Sequence, residues 1–460
     1  MLTVAEWKAK VETRVDTAIA TLQEYCRQPS VAAQGIGIRE TIDKVAQMVK
    51  AAGGTTQVLD DCGGNPVIYA DFAAGPNGDA AKTLLFYNHY DVQPPEPLDE
   101  WTYPPFGAEI HDGKLYARGA SDNKGDLVVR LNAIQVLQAN GGLPCRVKFL
   151  IEGEEEVGSP SLEAYLEKHA GLFAANACIW EFGGKSKDER IQMVAGIKGM
   201  AYLQFWCHGA AVDIHSSNGA AVDNAAWRLV QALASMRTVD NRIVVEGFYD
   251  DVEAPSPELM QWTQSLPDPT ESMKDVYGLL RPLTTGSKNP NLALLFEPTM
   301  TICGLESDYT GEGSKTVLPK RAQAKVDCRL VPNQDPADIL AKIRRHLDKF
   351  GFADVEVDLV NGERAYRSDI NHPFVQTVLQ TARDTYGTEP VLSPNSAGTG
   401  PMYPFGEYLG LDLPIVSTGC GWWNSRAHAP DESIRLVDFE QAMLHMVLLL
   451  QAFGRQSYTV

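Results

Sequence analysis

Little in this sequence points to nucleic acid, membrane or secretion. It has no extended basic run and no basic stripe with interleaved aromatics, and its 59 Asp and Glu against 40 Lys and Arg leave a formal charge of -19. Such a balance repels phosphate-rich partners, so no nucleic-acid partner is expected. The eight cysteines, Cys26, Cys62, Cys145, Cys178, Cys207, Cys303, Cys328 and Cys420, are scattered without a C-x-x-C pair. They lack the density of a small secreted disulfide scaffold, and reduced, mostly buried thiols are expected. Met1 to Cys26 has charged residues spread through it at helical spacing, without the apolar core and cleavage site of a signal peptide. No apolar run reads as long enough to cross a bilayer, so the expectation is cytoplasmic residence with no membrane partner.

What the chain does have is length and an ordinary globular composition. Its 460 residues, 44% hydrophobic and 22% charged, exceed what one core usually supports, so two domains are expected, one interrupted by the other. Apolar positions recur every three or four residues from Val4 to Cys26 and from Ile38 to Ala52, which predicts two opening helices. Short β-branched and aromatic runs predict buried strands at Pro66 to Phe72, Thr83 to His89, Arg146 to Ile151 and Cys178 to Trp180. Helical stretches at Gly125 to Asn140 and Ser161 to His169 alternate with them. The alternation predicts an α/β fold, a mostly parallel sheet sandwiched by helices, and such sheets take ligands beyond the carboxyl ends of their strands.

After Ala195 the pattern changes to an inserted α+β unit. Strands are predicted at Gly199 to Cys207, Met300 to Gly304, Ala322 to Leu330 and Val355 to Leu359, with helices at Ala220 to Ser235 and Pro336 to Lys349. The proline-rich stretch Thr238 to Asn291 reads as irregular or partly helical. Helix, strand and helix patterns at His372 to Tyr386, Leu413 to Ser417 and Asp438 to Phe453 resume the first domain. The expected division is therefore 1–195 with 367–460, interrupted by 196–366.

Polar residues gather at the predicted strand ends. In Asn88-His89-Tyr90-Asp91, alternation along an extended backbone puts His89 and Asp91 on one side. Gly119 to Gly125 (GASDNKG) is a glycine-flanked turn in which Asp122 either caps a helix or offers a carboxylate able to bridge two cations. Gly153 to Ser159 (GEEEVGS) follows a strand directly. Three adjacent carboxylates repel one another, and at the end of a buried strand that cost favours a bound cation and a shared proton over a solvated acidic loop. Glu181 ends the next strand, and His428 lies in Ser425-Arg426-Ala427-His428-Ala429-Pro430. Each is weak alone. Together His89, Asp122, Glu156, Glu181 and His428 form a mixed nitrogen and oxygen donor set suited to two zinc ions sharing one carboxylate.

HYDV at His89, GASDNKG around Asp122, GEEEVGS around Glu155, the lone acid Glu181 and AHAPDE around His428, in that order, resemble the co-catalytic dizinc peptidases and deacylases. That family includes carnosinase-type dipeptidases, glutamate carboxypeptidase, aminoacylase, acetylornithine deacetylase and succinyl-diaminopimelate desuccinylase, and the resemblance covers nearly the whole chain. It implies two zinc ions, with cobalt or manganese as substitutes. Asp122 would bridge them, His89 and Glu181 complete one site, Glu156 and His428 the other, and Asp91 orient His89. It implies Glu155 as catalytic base and a cis peptide between Asp122 and Asn123.

The insert resembles the family's lid, which commonly pairs two chains, so a homodimer is implied. Within it His215 matches a histidine that stabilises the oxyanion in a neighbouring subunit's site, and Arg329 matches a residue that binds substrate carboxylate through its planar fork. Thr399 and Gly400 match a glycine-rich loop lining the substrate pocket. The expected activity is hydrolysis of dipeptides or short peptides with a free carboxylate. An N-acyl amino acid deacylase is the alternative, because the family's deacylases and carboxypeptidases tend to carry Glu at the position of Glu181 where its dipeptidases carry Asp. A catalytically silent, metal-stabilised dimer is the alternative of another class, since fold does not fix function.

Overall fold

A computed structural model of the chain describes residues 2–455 except Pro282, Thr284, Gly286 and Ser287. Pro282, one basis of the irregular reading, and 456–460, the end of the expected last segment, thus lie outside the described residues. The chain divides into two compact units, the first running to Gly196 and including Ser368–Pro394 and the chain from Pro404 onward. The second is Ile197–Arg367 together with Asn395–Tyr403, a short segment that the reading of the sequence assigned with its neighbours to the first domain.

The first unit is built on a ten-stranded sheet. Its centre runs Cys145–Glu152, Asp79–His89, Ala177–Trp180, Ile415–Ser417, all parallel. From Leu84 to His89 every residue is buried on both faces, as expected of a strand covered on both sides. The flanks depart from the mostly parallel expectation: Thr55–Leu59 pairs antiparallel with Val67–Phe72, which pairs antiparallel with Cys145–Glu152. The helix-free connection 60–66 is too short for the crossover that parallel neighbours require.

The opening pattern forms two helices, Val4–Glu12 and Val15–Cys26, rather than one. Between them the Thr13 hydroxyl donates to the Lys10 carbonyl at 2.7 Å, and the chain turns before restarting. The helix Leu436–Arg455 is, against expectation, long and apolar enough by length and composition to cross a membrane. Most of it is buried in the unit's core, where Phe439, Met443, Val447 and Leu450 are fully enclosed and where it packs against Gly125–Ala139.

The second unit holds a four-stranded antiparallel sheet in the order Thr301–Ser307, Arg321–Leu330, Gly199–His208, Glu356–Glu363. Helices Ala225–Ser235 and Pro336–Lys349 cover one face, burying Leu203, Phe205, Val326, Leu229, Ile339 and Ile343 together. Alternating burial along Arg321–Leu330 follows from this one-sided cover. Pro336–Lys349 starts where expected because the Asp335 carboxylate accepts from the amides of Ala337 and Asp338 and proline opens the helix. Within 238–291, Pro257–Ser265 and Thr270–Tyr277 are helical.

Candidate metal centre

Three parallel strands deliver the site's residues at their carboxyl ends. His89 is the last residue of its strand and lies in register with Glu152 of the next. Beyond Glu152 the chain enters the short turn Glu155–Val157, and Glu181 directly follows Ala177–Trp180. Asp122 comes from the irregular turn Ala120–Lys124, where its peptide bond to Asn123 is cis.

The Asp122 carboxylate faces two ways. Its Oδ1 is 2.9 Å from His89 Nε2, which is also 3.0 Å from Glu181 Oε2, and its Oδ2 is 3.1 Å from His428 Nε2, itself 3.2 Å from Glu156 Oε2. Donor atoms of His89, Asp122 and Glu181 lie within 4.8 Å of one another, as do those of Asp122, Glu156 and His428, so each trio could hold one ion with Asp122 common to both.

Hydrogen bonding alone does not satisfy this cluster. The His89 Nδ1 side faces the Asp91 carbonyl at 3.0 Å and the Asp91 carboxylate at 3.4 Å, which leaves Nε2 between two carboxylates. A single N–H cannot serve both, and buried Glu181 Oε2 and Glu156 Oε1 have no hydrogen-bond partner. Charge tells the same story. Burial works to lower the pKa of His89, yet Glu181, Asp122 and Asp91 raise it well above the ordinary imidazole range, and Asp122 and Glu156 push His428 up to about 10. Without a metal, protons on the imidazoles supply the positive charge these carboxylates demand. Divalent cations bound through mixed imidazole and carboxylate donors would supply it instead, so the donor set fits the expected ions.

Glu155 is half-buried beside the cluster, and burial followed by the charge of Glu181 raises its carboxyl well above the usual range. A carboxyl so placed is ready to hold and release a proton. Asp91 is fully buried; besides facing His89, its Oδ2 accepts from the Glu156 amide at 3.1 Å, which ties the two trios together.

The supporting residues were not singled out in the sequence. Glu432 is fully buried and accepts from the backbone amides of Gly119, Ser121 and Asp122 at 2.9–3.0 Å and from Arg118 at 2.7 Å, so it shapes the turn that presents Asp122. Arg130 donates to the carbonyls of Tyr87 and Trp180 at 2.6 Å and to Asn88 Oδ1 at 2.7 Å, binding adjacent strand ends together. Gln93 donates to Glu156 Oε2 at 2.8 Å. A signal existed for two of them. Glu432 is the last letter of AHAPDE, and Arg130 is a lone cation in the apolar helix LVVRLNAIQVL.

The other expected site residues belong to the second unit. His215 is exposed on the short strand Ile214–His215, its Nδ1 2.9 Å from Ser217 Oγ. Arg329 donates to Asp327 at 2.8 Å and to the Thr399 hydroxyl at 2.8 Å, so Arg329 and the 398–400 loop meet within that unit, where Gly400 accepts only from the Met402 amide among the described contacts.

Two imidazoles and three carboxylates, from two strand ends, two turns and a loop, converge beyond the carboxyl ends of the parallel strands and define a metal-dependent hydrolase. The chain belongs to Peptidase family M20/M25/M40, whose pattern matches residues 85–452, and it is therefore a metallopeptidase of a family that uses a divalent metal. It is 28% identical over 400 residues to the Beta-Ala-His dipeptidase of Homo sapiens, covering 84% of this chain and 77% of that one. It is 27% identical over 387 residues to the Cysteinylglycine-S-conjugate dipeptidase of Corynebacterium striatum, covering 83% of each. Among solved structures it resembles an M20 family metallo-carboxypeptidase from Sulfolobus solfataricus, with a TM-score of 0.86 and 38% identity over 95% of this chain and 99% of that one. Human carnosine dipeptidase 1, at 23% identity and a TM-score of 0.78 over 99% of this chain and 100% of that one, shares the fold.

Proposed function

We propose that this protein hydrolyses the amide bond of dipeptides or short peptides that end in a free carboxylate, using two zinc ions. The observation that carries the reading is Asp122, whose two oxygens face two separate histidine and glutamate pairs. His89 and Glu181 would hold one ion, Glu156 and His428 the other, and Asp122 both. When bound, the ions supply Lewis acidity at the scissile carbonyl and lower the pKa of water from about 16 towards about 7.

The chain's own residues do the rest. Glu155 takes the proton from the attacking water and returns it to the leaving amine. Its raised pKa suits that role, since a carboxyl that holds a proton more firmly is the better base. Asp91 keeps the His89 ring turned, so that Nε2 stays free to ligate. His215 donates to the oxyanion and Arg329 pairs with the substrate's free carboxylate, with Thr399 and Gly400 beside it. We also assign the protein to the cytoplasm and to a homodimer formed through the second unit.

Glu155→Gln tests the mechanism. The expected result is a fall in kcat of about 10²–10⁴-fold with zinc content intact, measured on a dipeptide panel with metal analysis of the same samples. Unchanged turnover would refute the assignment. Glu181 supports a second reading, N-acyl amino acid deacylase, and turnover of N-acetyl amino acids without turnover of any dipeptide would favour it. Membership of a peptidase family weighs against the catalytically silent alternative.

A further inference from the structure

The second unit contains a cavity of about 680 Å³ whose charge is opposite to that of the chain. In a protein with 59 acidic and 40 basic residues, five cations line it, Lys198, Arg237, Arg242, Lys288 and Arg329, against two carboxylates, Asp240 and Glu297. Several of the cations are not neutralised. Lys288 pairs with Glu297 at 3.3 Å and Arg329 with Asp327 at 2.8 Å, which uses one of the two lining carboxylates and one from outside the lining. Arg237 is exposed, and among the described residues its side chain donates to the Met300 carbonyl at 3.0 Å and Asn241 Oδ1 at 2.9 Å. Lys198 is 2% exposed and donates to the Glu297 carbonyl at 2.6 Å. Among the described residues neither Lys198 nor Arg237 has a carboxylate within ion-pair distance.

A buried ammonium held only by a carbonyl is costly, because a neutral dipole recovers little of the lost hydration. Burial pushes Lys198 down to about 8 against the pull of Glu297, and the charges of Arg329 and Arg367 add to the push. An anion entering the cavity would relieve that imbalance. The remaining walls are partly apolar, with Ile243, Tyr249, Leu294 and Phe296, so an organic anion fits better than a bare inorganic one.

We infer that this cavity is an acid-selecting subsite: Lys198 and Arg237 receive a second carboxylate, carried on the side chain of the residue whose free carboxylate meets Arg329. The preferred substrates would then be peptides ending in Asp or Glu. This rests on the peptide-hydrolysis reading and on the role given there to Arg329.

The test compares Ala-Glu with its neutral near-isostere Ala-Gln on the zinc-loaded enzyme. The expected result is a kcat/KM for Ala-Glu about tenfold or more above that for Ala-Gln, collapsing towards parity in both Lys198→Met and Arg237→Gln, mainly through KM. Arg237, less enclosed than Lys198, covers the case in which Lys198→Met fails to fold. Equal kcat/KM for the two dipeptides, or variants that lower both in the same proportion, would overturn the subsite. If no dipeptide is cleaved, calorimetric binding of N-acetylglutamate against N-acetylglutamine to the full-length protein decides separately. Tighter binding of the glutamate compound, lost in Arg237→Gln, upholds the cavity although the peptidase reading has failed; equal binding sinks it.

Discussion

The two halves of the metal centre are built differently. His89 is wholly buried at the end of a central strand, whereas the His428 side chain is 54% exposed on a loop, with its backbone at φ 65°. That left-handed conformation is uncommon for a residue with a Cβ, costs of order 1 kcal/mol and persists only where the surroundings enforce it. They do so here. Trp422 N donates to Ser425 Oγ at 3.0 Å, Ser433 N to the Ser425 carbonyl at 2.9 Å and the Trp422 ring to the Ser433 carbonyl at 3.1 Å, bracketing the loop at both ends. One half is thus fixed by the sheet that forms the core. The other is held by a surface loop, which can be perturbed without perturbing the fold.

The largest effect expected from this contrast is on stability. In the metal-free protein, His89→Ala removes the buried cation between Asp122 and Glu181 and should cost about 3–5 kcal/mol, the range for breaking a buried charge pair. His428→Ala should cost less than about 1 kcal/mol, because solvent screens the exposed partner. Both should abolish turnover. Denaturant unfolding of the two metal-free variants measures the difference, and equal losses would mean that the halves are energetically alike.

Metal affinity sharpens the comparison further. Glu432 fixes the turn carrying Asp122, which is common to both trios, so Glu432→Gln should weaken both ions, by about 10–100-fold, the usual effect of losing a residue that supports ligands. Gln93→Ala touches only Glu156 and should weaken one ion by a smaller factor. Competition against a chromophoric chelator resolves the two steps. A Gln93 variant that weakened both ions equally would show that the halves are coupled rather than separate.

The same contrast explains what the sequence made legible. The strands ending in His89 and Glu152 and the strand before Glu181 are built on short, mostly apolar runs, so both their existence and the polar residues at their ends could be read directly. The five donors emerged from their order. Glu432 and Arg130 escaped because their roles consist of hydrogen bonds to backbone groups far along the chain: Glu432 serves amides more than 300 residues away, and neither residue type nor spacing encodes that distance. The antiparallel flanks escaped for a related reason, since a lone strand pattern carries no record of its partner's direction. The helix Leu436–Arg455 was legible as Asp438 to Phe453, but its membrane-crossing length and apolarity were not, because Asp438, Glu440, Gln441, His445 and Gln451 interrupt the run without lowering its average hydropathy enough.

His445 in that helix gives the smallest and cleanest test of what burial alone does to an imidazole. Like His89 it is fully buried, but it faces the hydroxyls of Thr381 and Thr418, the Val378 carbonyl and the Tyr386 ring, with no carboxylate in contact among the described residues. Burial therefore prevails, and its pKa is pushed down from 6.5 to about 4. As pH falls below 6.5 the unfolded chain binds a proton that the native state refuses until about pH 4, so native stability declines across that window and is unaffected by this group above it. The slope should be at most about 1.4 kcal/mol per pH unit. His445→Gln, which keeps a side chain able to hydrogen-bond Thr381, should flatten that decline between pH 6.5 and 4 in denaturant melts of the metal-free protein, whatever its effect at neutral pH. An unchanged slope would mean that the proton is accommodated in the core, and that the opposite behaviour of His89 is not due to its carboxylates alone.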